Sequence, residues 1–431
     1  MPPTEKERPF EKILIAGAGP AGLLLALMLS QHGIPSLVLE AWDRLDERLR
    51  ATQYGVPATR IFRRAGLLKD FREAGIPTFP YICWRNVKDS RKKLIGIDLS
   101  TTKDEEDRMT VLPLNMILQI MYKHCIERGN GLIDIRFNHK VTNVGQDGSK
   151  AWADVEVGRP GTVPTQLRFE ADYVIGCDGG SSVVRKCLFG RDWPGETFDC
   201  KLMVQNVFYD GFDKHGWDGG NYMIDEEHFG LIAKRGKAGT NGNLWRVTYG
   251  DAGGFSDEEY IARRPEAFKR LLPGSPEPSD YTITDTNQFR IHNRCVDKMR
   301  VGRILLAADA AHVCNPFGGY GCMSAVLDAG GLADCLIGYY EGWADESILD
   351  LYAEIRRQKF VDYVDRRSRK NFYRISRTDA NTALETDPFL GLLKDIEGDK
   401  ERTRQFLMKW SSIEYDFTQH YRKDKKERSK I

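Results

Sequence analysis

The stretch from Lys12 to Glu40 most narrows what this chain can fold into. It reads Lys-Ile-Leu-Ile-Ala-Gly-Ala-Gly-Pro-Ala-Gly, then an apolar run, then Pro-Ser-Leu-Val-Leu-Glu. Ile13 to Ala16 is a short apolar run of the kind a buried parallel strand requires. Gly17, Gly19 and Gly22 follow with Gly-x-Gly-x-x-Gly spacing. The first glycine permits the tight turn, and the second lets the backbone approach a pyrophosphate drawn to the helix N-terminus. The third lets that helix pack close to the strand. Pro20 and Ala21 lie inside the same turn. Ala21 to Leu29 is the predicted helix and Ser36 to Leu39 the second strand. Glu40 ends that strand, where a carboxylate can accept hydrogen bonds from an adenosine ribose. The order predicts a dinucleotide site but does not choose between FAD and NAD.

The chain has 431 residues, long for one core, so two domains are expected. A formal net charge of +1 gives no global field for nucleic acid or acidic membranes. Nine cysteines without a Cys-x-x-Cys pair predict neither a disulfide framework nor a metal site, and fit a reducing compartment. The polar start holds no signal-peptide core, and no apolar run approaches a membrane span. A cytoplasmic location is expected. The final Ser429-Lys430-Ile431 is close to the peroxisomal tripeptide Ser-Lys-Leu, which makes the peroxisome the alternative.

Beyond Glu40, Arg48 and Arg50 alternate in a charged segment from which both can reach back to phosphates. Pro57 to Ala74 reads as one helix. Tyr173 to Gly176 is a strand ending in Cys-Asp178-Gly179-Gly, a place where a strand end meets a cofactor in an open α/β sheet. Residues 195–290 change character. Short strands separated by Gly/Asp/Asn turns predict an antiparallel meander inserted as a substrate domain. After the buried strand Arg303 to Ala307 come Asp309, His312, Pro316 and a glycine loop that opens a helix near Cys322. Asp309 can bond ribitol or ribose hydroxyls. The N–H groups after Gly321 can face an electron-rich ring carbonyl. The remainder is helical, and Arg356, Arg357, Arg366, Arg367, Arg369 and Lys370 read as a solvated face.

The expected architecture is α/β. A Rossmann-like FAD-binding domain (10–80, 110–190 and 290–345) carries an inserted, mainly antiparallel β substrate domain (81–109 and 191–289). C-terminal helices and a basic tail follow (346–431).

Three motifs in this order resemble the single-component FAD-dependent aromatic hydroxylases, the para-hydroxybenzoate and salicylate hydroxylase family. They are Gly17-Ala-Gly-Pro-Ala-Gly22, Gly176-Cys-Asp178-Gly179 with Arg185, and Asp309-Ala-Ala-His with Pro316-x-Gly-Gly-x-Gly321. The stretch Tyr222 to Tyr249 looks like fungal-type members. The resemblance implies that Glu40 holds the adenosine ribose and Arg50 lies on the phosphate or ribose side. It puts Asp178 and Gly179 at FAD, Asp309 at the middle of FAD, and Pro316 beside the reactive ring edge. Gly321 and Cys322 then offer N–H groups to the pyrimidine end. Three positions depart from the pattern. Ala308 replaces the usual glycine, Met323 stands where Asn is common and so contacts only through backbone, and Leu114 stands where Arg or Gln often reaches FAD.

The implied reaction uses NAD(P)H and O2 to hydroxylate an electron-rich phenol through a flavin C4a-hydroperoxide. NADH and NADPH stay open, as do monomer and homodimer. A phenol of pKa ~10 needs a cation or base to favour its phenolate. On a regular strand Arg246 and Thr248 share one face and Trp245, Val247 and Tyr249 the other. Arg246 is therefore the expected phenolate anchor, with Tyr222 and His228 as hydrogen-bond or proton-transfer partners. Epoxidation, Baeyer–Villiger insertion or oxidative decarboxylation would use much the same residues, and an FAD oxidase or dehydrogenase without an oxygenation step is the alternative from another class.

Overall fold

The structure is a computed structural model. It describes residues 8–422 except 49, 76–79, 104, 105, 107, 160, 162 and 238–241. The tripeptide 429–431 and the middle of the Lys237–Asn243 turn lie outside the described residues. One sheet has six strands in the order Arg300–Val301, Ile304–Leu306, Tyr173–Gly176, Ile13–Ala16, Ser36–Leu39 and Ile133–Arg136. All its pairings are parallel except the first. The strands Ile13–Ala16, Ser36–Leu39 and Tyr173–Gly176 fall where their apolar runs predict, because each is covered on both faces. The helices Pro20–Ser30 and Tyr320–Tyr340 pack against each other over this sheet. Tyr320–Tyr340 is long and apolar enough to cross a membrane by composition, yet most of it is buried inside the protein.

Three further strands, His139–Gln146, Ala151–Val157 and Thr165–Ala171, make a small antiparallel sheet. The region expected as one helix over Pro57–Ala74 is two, Val56–Arg64 and Leu68–Ala74. Gly66 at φ +74° lies in the break, a conformation that ends a helix turn at no steric cost to glycine.

The meander region belongs to an eight-stranded sheet. Its order is His312–Val313, Thr282–Cys295, Gly195–Phe208, Asn243–Ala252, Gly230–Lys237, Gly220–Ile224, Tyr81–Asn86 and Lys92–Asp98. It is not antiparallel throughout, since Gly220–Ile224 runs parallel to Tyr81–Asn86. The connection between those two strands is long, and a parallel pair requires a long crossover. One face of the sheet packs Met203, Val207, Trp245, Val247 and Tyr249 on the helix Asp257–Leu271. The other face carries Leu202 and Ile224, against Phe317 and the C-terminal helices Arg366–Arg377, Pro388–Ile396 and Lys400–Met408. These helices wall the space between the two large sheets.

Candidate active site

One continuous cavity of about 2250 Å³ runs from the Gly17–Ala21 turn past Asp309 to the face of the eight-stranded sheet. Pockets for single drug-sized ligands hold roughly 300–1,000 Å³, so this space admits a dinucleotide and a second molecule together.

At its first end the backbone is cut to fit. A Cβ on Gly17, whose φ is +102°, would sit 2.5 Å from the Cys177 carbonyl, and one on Gly22 would sit 2.1 Å from the Gly17 carbonyl. At Gly19 a Cβ would meet nothing within 4 Å; its missing side chain leaves room for a ligand. The helix Pro20–Ser30 has no side-chain cap, so its first-turn amides are left for that ligand. Glu40 accepts from the Ala18 N–H at 2.8 Å and the Trp42 N–H at 3.0 Å, which positions its carboxylate at the cavity wall. Arg50 lines the cavity beside its partner Asp46, 3.6 Å away. Leu114 also reaches the wall.

Asp178 and Gly179 line the next section. Asp178 accepts from the Ser182 hydroxyl and from the N–H groups of Val183 at 2.7 Å and Val184 at 3.1 Å. It therefore shapes the loop and starts the following helix, and burial pushes its carboxyl up. Arg185 lies 3.6 Å over the Trp193 ring and donates to the Gly180 and Ala310 carbonyls. Asp309 is open to the cavity although deep in the molecule. Desolvation raises its carboxyl above the ordinary range, and His312 and Arg50 oppose that rise.

Behind Asp309 stands Asp328, fully buried at 0% exposure. It accepts from Arg356 Nε at 2.7 Å and from the Ala308 N–H at 2.9 Å, with His312 Nε2 2.8 Å away. Burial alone would raise its carboxyl, but His312 and Arg356 hold it below the ordinary carboxylate range. Arg356 is 1% exposed, not part of a solvated face. Ala308 has φ +58°, in the left-handed region that glycine adopts without steric cost.

The loop Cys314–Gly319 comes next. Asn293 Oδ1 accepts from the Asn315 N–H and side-chain amide, and Asn293 Nδ2 donates to Asp365 and Ser368. Pro316 is thereby fixed at the cavity wall. The helix Tyr320–Tyr340 starts uncapped after Gly319, so the first-turn N–H groups at Gly321 and Cys322 have no side-chain acceptor. Met323 is buried and lines the wall near Gly55. The open space at Gly19, the uncapped helix starts and the carboxylates of Glu40 and Asp309 fit an elongated dinucleotide.

At the far end Tyr222 stacks on Trp84, with ring centroids 5.2 Å apart, and lines the cavity together with Gly318. Burial pushes this phenol up to about 12. Arg246 and Thr248 face the cavity, whereas Trp245, Val247 and Tyr249 face the helix Asp257–Leu271. Arg246 donates to Asn206 Oδ1 at 3.3 Å and to the Arg50 carbonyl. Burial and then the neighbouring Arg235 guanidinium pull its pKa down. Among the described residues the buried Arg235 Nη1 has no hydrogen-bond partner.

His228 is not at this site. Asp225 Oδ1 accepts from the Glu227 and His228 N–H groups, which turns the chain before the strand begins at Gly230. Phe229 then faces Phe317, and His228 packs against Tyr249 on the opposite face of the sheet. Asp225, Glu227 and His228 cluster closely, but Arg270 already bridges both carboxylates at 2.9 Å. Sequence reading missed Asn293, Asn315, Asp328 and the cavity-lining residues of the C-terminal helices. Asp328 lies seven residues beyond the third motif, and a carboxylate in the apolar helix Tyr320–Tyr340 was the available signal.

A family model described as an FAD binding domain matches residues 11–367. The chain is 35% identical over 404 residues to a para-nitrophenol 4-monooxygenase of Pseudomonas sp. (strain WBC-3), covering 93% of this chain and 95% of that one. It is 30% identical to a 6-hydroxy-3-succinoylpyridine 3-monooxygenase of Pseudomonas putida (strain DSM 28022 / S16), covering 84% and 88%. The crystal structure of a p-nitrophenol 4-monooxygenase of Pseudomonas putida DLL-E4 superposes with a TM-score of 0.83 at 30% identity, covering 94% of this chain and 98% of that one. The cavity built for a dinucleotide, the order of the three motifs and these likenesses agree: the chain belongs to the single-component FAD-dependent aromatic hydroxylases and is an FAD-dependent monooxygenase.

Proposed function

We propose that this monooxygenase inserts oxygen at the substituted ring carbon para to the hydroxyl of a small phenol or hydroxypyridine. The names of the two relatives place their oxygen at such a carbon: C4 of para-nitrophenol and C3 of 6-hydroxy-3-succinoylpyridine. The observation that carries the reading is the joining of a dinucleotide channel to an aromatic-walled, cationic end within one cavity. Bound FAD supplies the electron exchange with NAD(P)H and the activation of O2. Gly19, the first turn after Pro20, Glu40 and Arg50 hold its adenosine and pyrophosphate half, and Asp309 its middle. Pro316, Gly321, Cys322 and the Met323 backbone frame its ring.

The protein must then make the aromatic ring electron-rich. Arg246 is suited to this because burial and Arg235 crowd its charge, and an incoming phenolate relieves both penalties. Ionising the phenol raises electron density at the para carbon. Tyr222, stacked on Trp84, orients the ring beside Pro316, and the C-terminal helices exclude water.

Turnover of a para-substituted phenol under isotopically labelled O2 tests this. With 4-nitrophenol the expected outcome is a new C–O bond at the para carbon, departure of the nitro group with the C–N bonding pair as nitrite, reduction of the other oxygen atom to water by NAD(P)H, and a quinone that carries one labelled oxygen. A product that keeps the substituent and gains oxygen elsewhere overturns the regiochemistry, and oxidation without oxygen gain overturns the whole reading. Arg246→Ala should cut hydroxylation at least 100-fold, about 2.7 kcal/mol, with normal FAD content. A second reading follows from the bond between Arg246 and the Arg50 carbonyl, in which Arg246 only holds that segment. In that case the variant loses FAD instead.

A further inference from the structure

The helix Arg366–Arg377 lays one face along the cavity. Arg367, Lys370, Asn371, Arg374 and Arg377 all line it, at the three- and four-residue steps that bring side chains to one side of a helix. Of the four cations on this face, among the described residues only Arg374 has a carboxylate partner, Asp387, at 2.9 Å to both oxygens. Arg367 and Arg377 lie over the Tyr363 and Tyr373 rings at 4.0 and 4.1 Å. Among the described residues neither they nor Lys370 enters an ion pair with an acid. Trp84, Phe389, Leu392 and Phe406 line the same cavity, and the Phe389 ring lies 4.2 Å from the Arg374 guanidinium.

This stripe runs into the reactive end. Arg374 donates to Asn371 Oδ1 at 2.6 Å, and Asn371 donates to the Phe317 carbonyl at 3.3 Å, next to Pro316. A nucleotide phosphate would find no free amide cradle here, because Asp387 already accepts from the Phe389 and Leu390 N–H groups. An aromatic anion matches both parts of the passage, with its charge on the cations and its ring on the walls.

We propose that Arg367, Lys370 and Arg377 form an entry path that draws in the substrate as an aromatic anion, a phenolate or aryl carboxylate, in preference to a neutral phenol of the same size. This rests on the phenol-hydroxylating reading above for the identity of the ligand.

The test compares the FAD-loaded enzyme with an Arg367→Gln/Lys370→Gln/Arg377→Gln variant. The probes are 4-nitrophenol, an anion at about pH 8, and 4-methylphenol, neutral at that pH because its pKa stays near ~10. Binding is read without reductant from the change in flavin absorbance, and turnover from product formation. The wild-type enzyme should bind the anion more tightly, with an affinity that weakens as salt is added. The variant should lose about tenfold in kcat/KM and in affinity for 4-nitrophenol, together with most of the salt dependence. Its affinity for 4-methylphenol, FAD content and KM for NADPH should not change. Equal losses for both phenols, no loss, or a rise confined to the reductant KM overturns the proposal. If the triple variant does not fold, Lys370→Gln alone carries the same comparison with a smaller amplitude. If neither phenol is hydroxylated, the hydroxylation reading fails, while the two binding constants still decide whether the path selects anions.

Discussion

Ala308 shows how much one methyl group can matter at a strand end. Its φ of +58° places a β-carbon in the left-handed region, at a cost of about 1–2 kcal/mol. Its N–H is fixed by Asp328, so the chain cannot relax away from that conformation. Ala308→Gly should relieve the strain. The extra freedom of glycine in the unfolded chain offsets about 0.5–1 kcal/mol. The expected net gain is up to about 1 kcal/mol, read as a small rise in Tm with unchanged turnover. His228 makes a second prediction at this scale. Burial lowers its pKa, so the folded protein keeps it neutral where the unfolded chain would protonate it. Its contribution to stability is complete above about 6.5 and declines as pH falls from there towards the lowered folded value. Tm measured across that range should fall, and His228→Gln should flatten the fall without changing the activity at pH 8.

At the scale of elements, the loop Cys314–Gly319 owes its position to an amide on a strand far away in sequence. Asn293→Ala removes the acceptor of the Asn315 N–H and the donor to Asp365 and Ser368. The loss should be about 1–3 kcal/mol in stability. With Pro316 no longer fixed, a larger share of the NADPH oxidised should yield no hydroxylated product, as comparison of reductant loss with product formed would show. This loop also shows what a sequence can and cannot display. Ile13–Ala16, Ser36–Leu39 and Tyr173–Gly176 were legible because burial on both faces leaves an apolar run. The opposed faces of Trp245–Tyr249 were legible from strand alternation alone. Asn293 was not, because a polar residue on a strand reads as solvent-facing unless its distant partners are known. His228 was misplaced because a side-chain acceptor at Asp225 reverses the chain, and strand periodicity carries no trace of that. Arg356, Arg367 and Lys370 looked like a solvated face for a similar reason. A cation aimed at a cavity or a buried acid has the same local pattern as one aimed at water.

The whole molecule is closed by its C-terminal helices. Leu390, Leu393, Ile396 and Leu407 pack under the strands Tyr81–Asn86 and Lys92–Asp98, and the same helices wall the aromatic end of the cavity. Leu407→Ala would remove buried volume behind that wall and should cost about 2–5 kcal/mol, measured by denaturant unfolding. Because the wall excludes water, the same variant should release more peroxide for each reductant consumed at temperatures where it remains folded. Unchanged coupling would show that the wall stands without this helix.

The continuous cavity of about 2250 Å³ between the two large sheets bears on supply as well as on chemistry. Its first half is shaped for the cofactor, so FAD is a ligand of the folded state and has no comparable site on the unfolded chain. Mass action then makes stability a function of free FAD, adding about 2.7 kcal/mol at a hundredfold excess over Kd. Cells short of flavin would hold less of this protein as well as less of its activity, because the chain without FAD spends more time open to proteolysis.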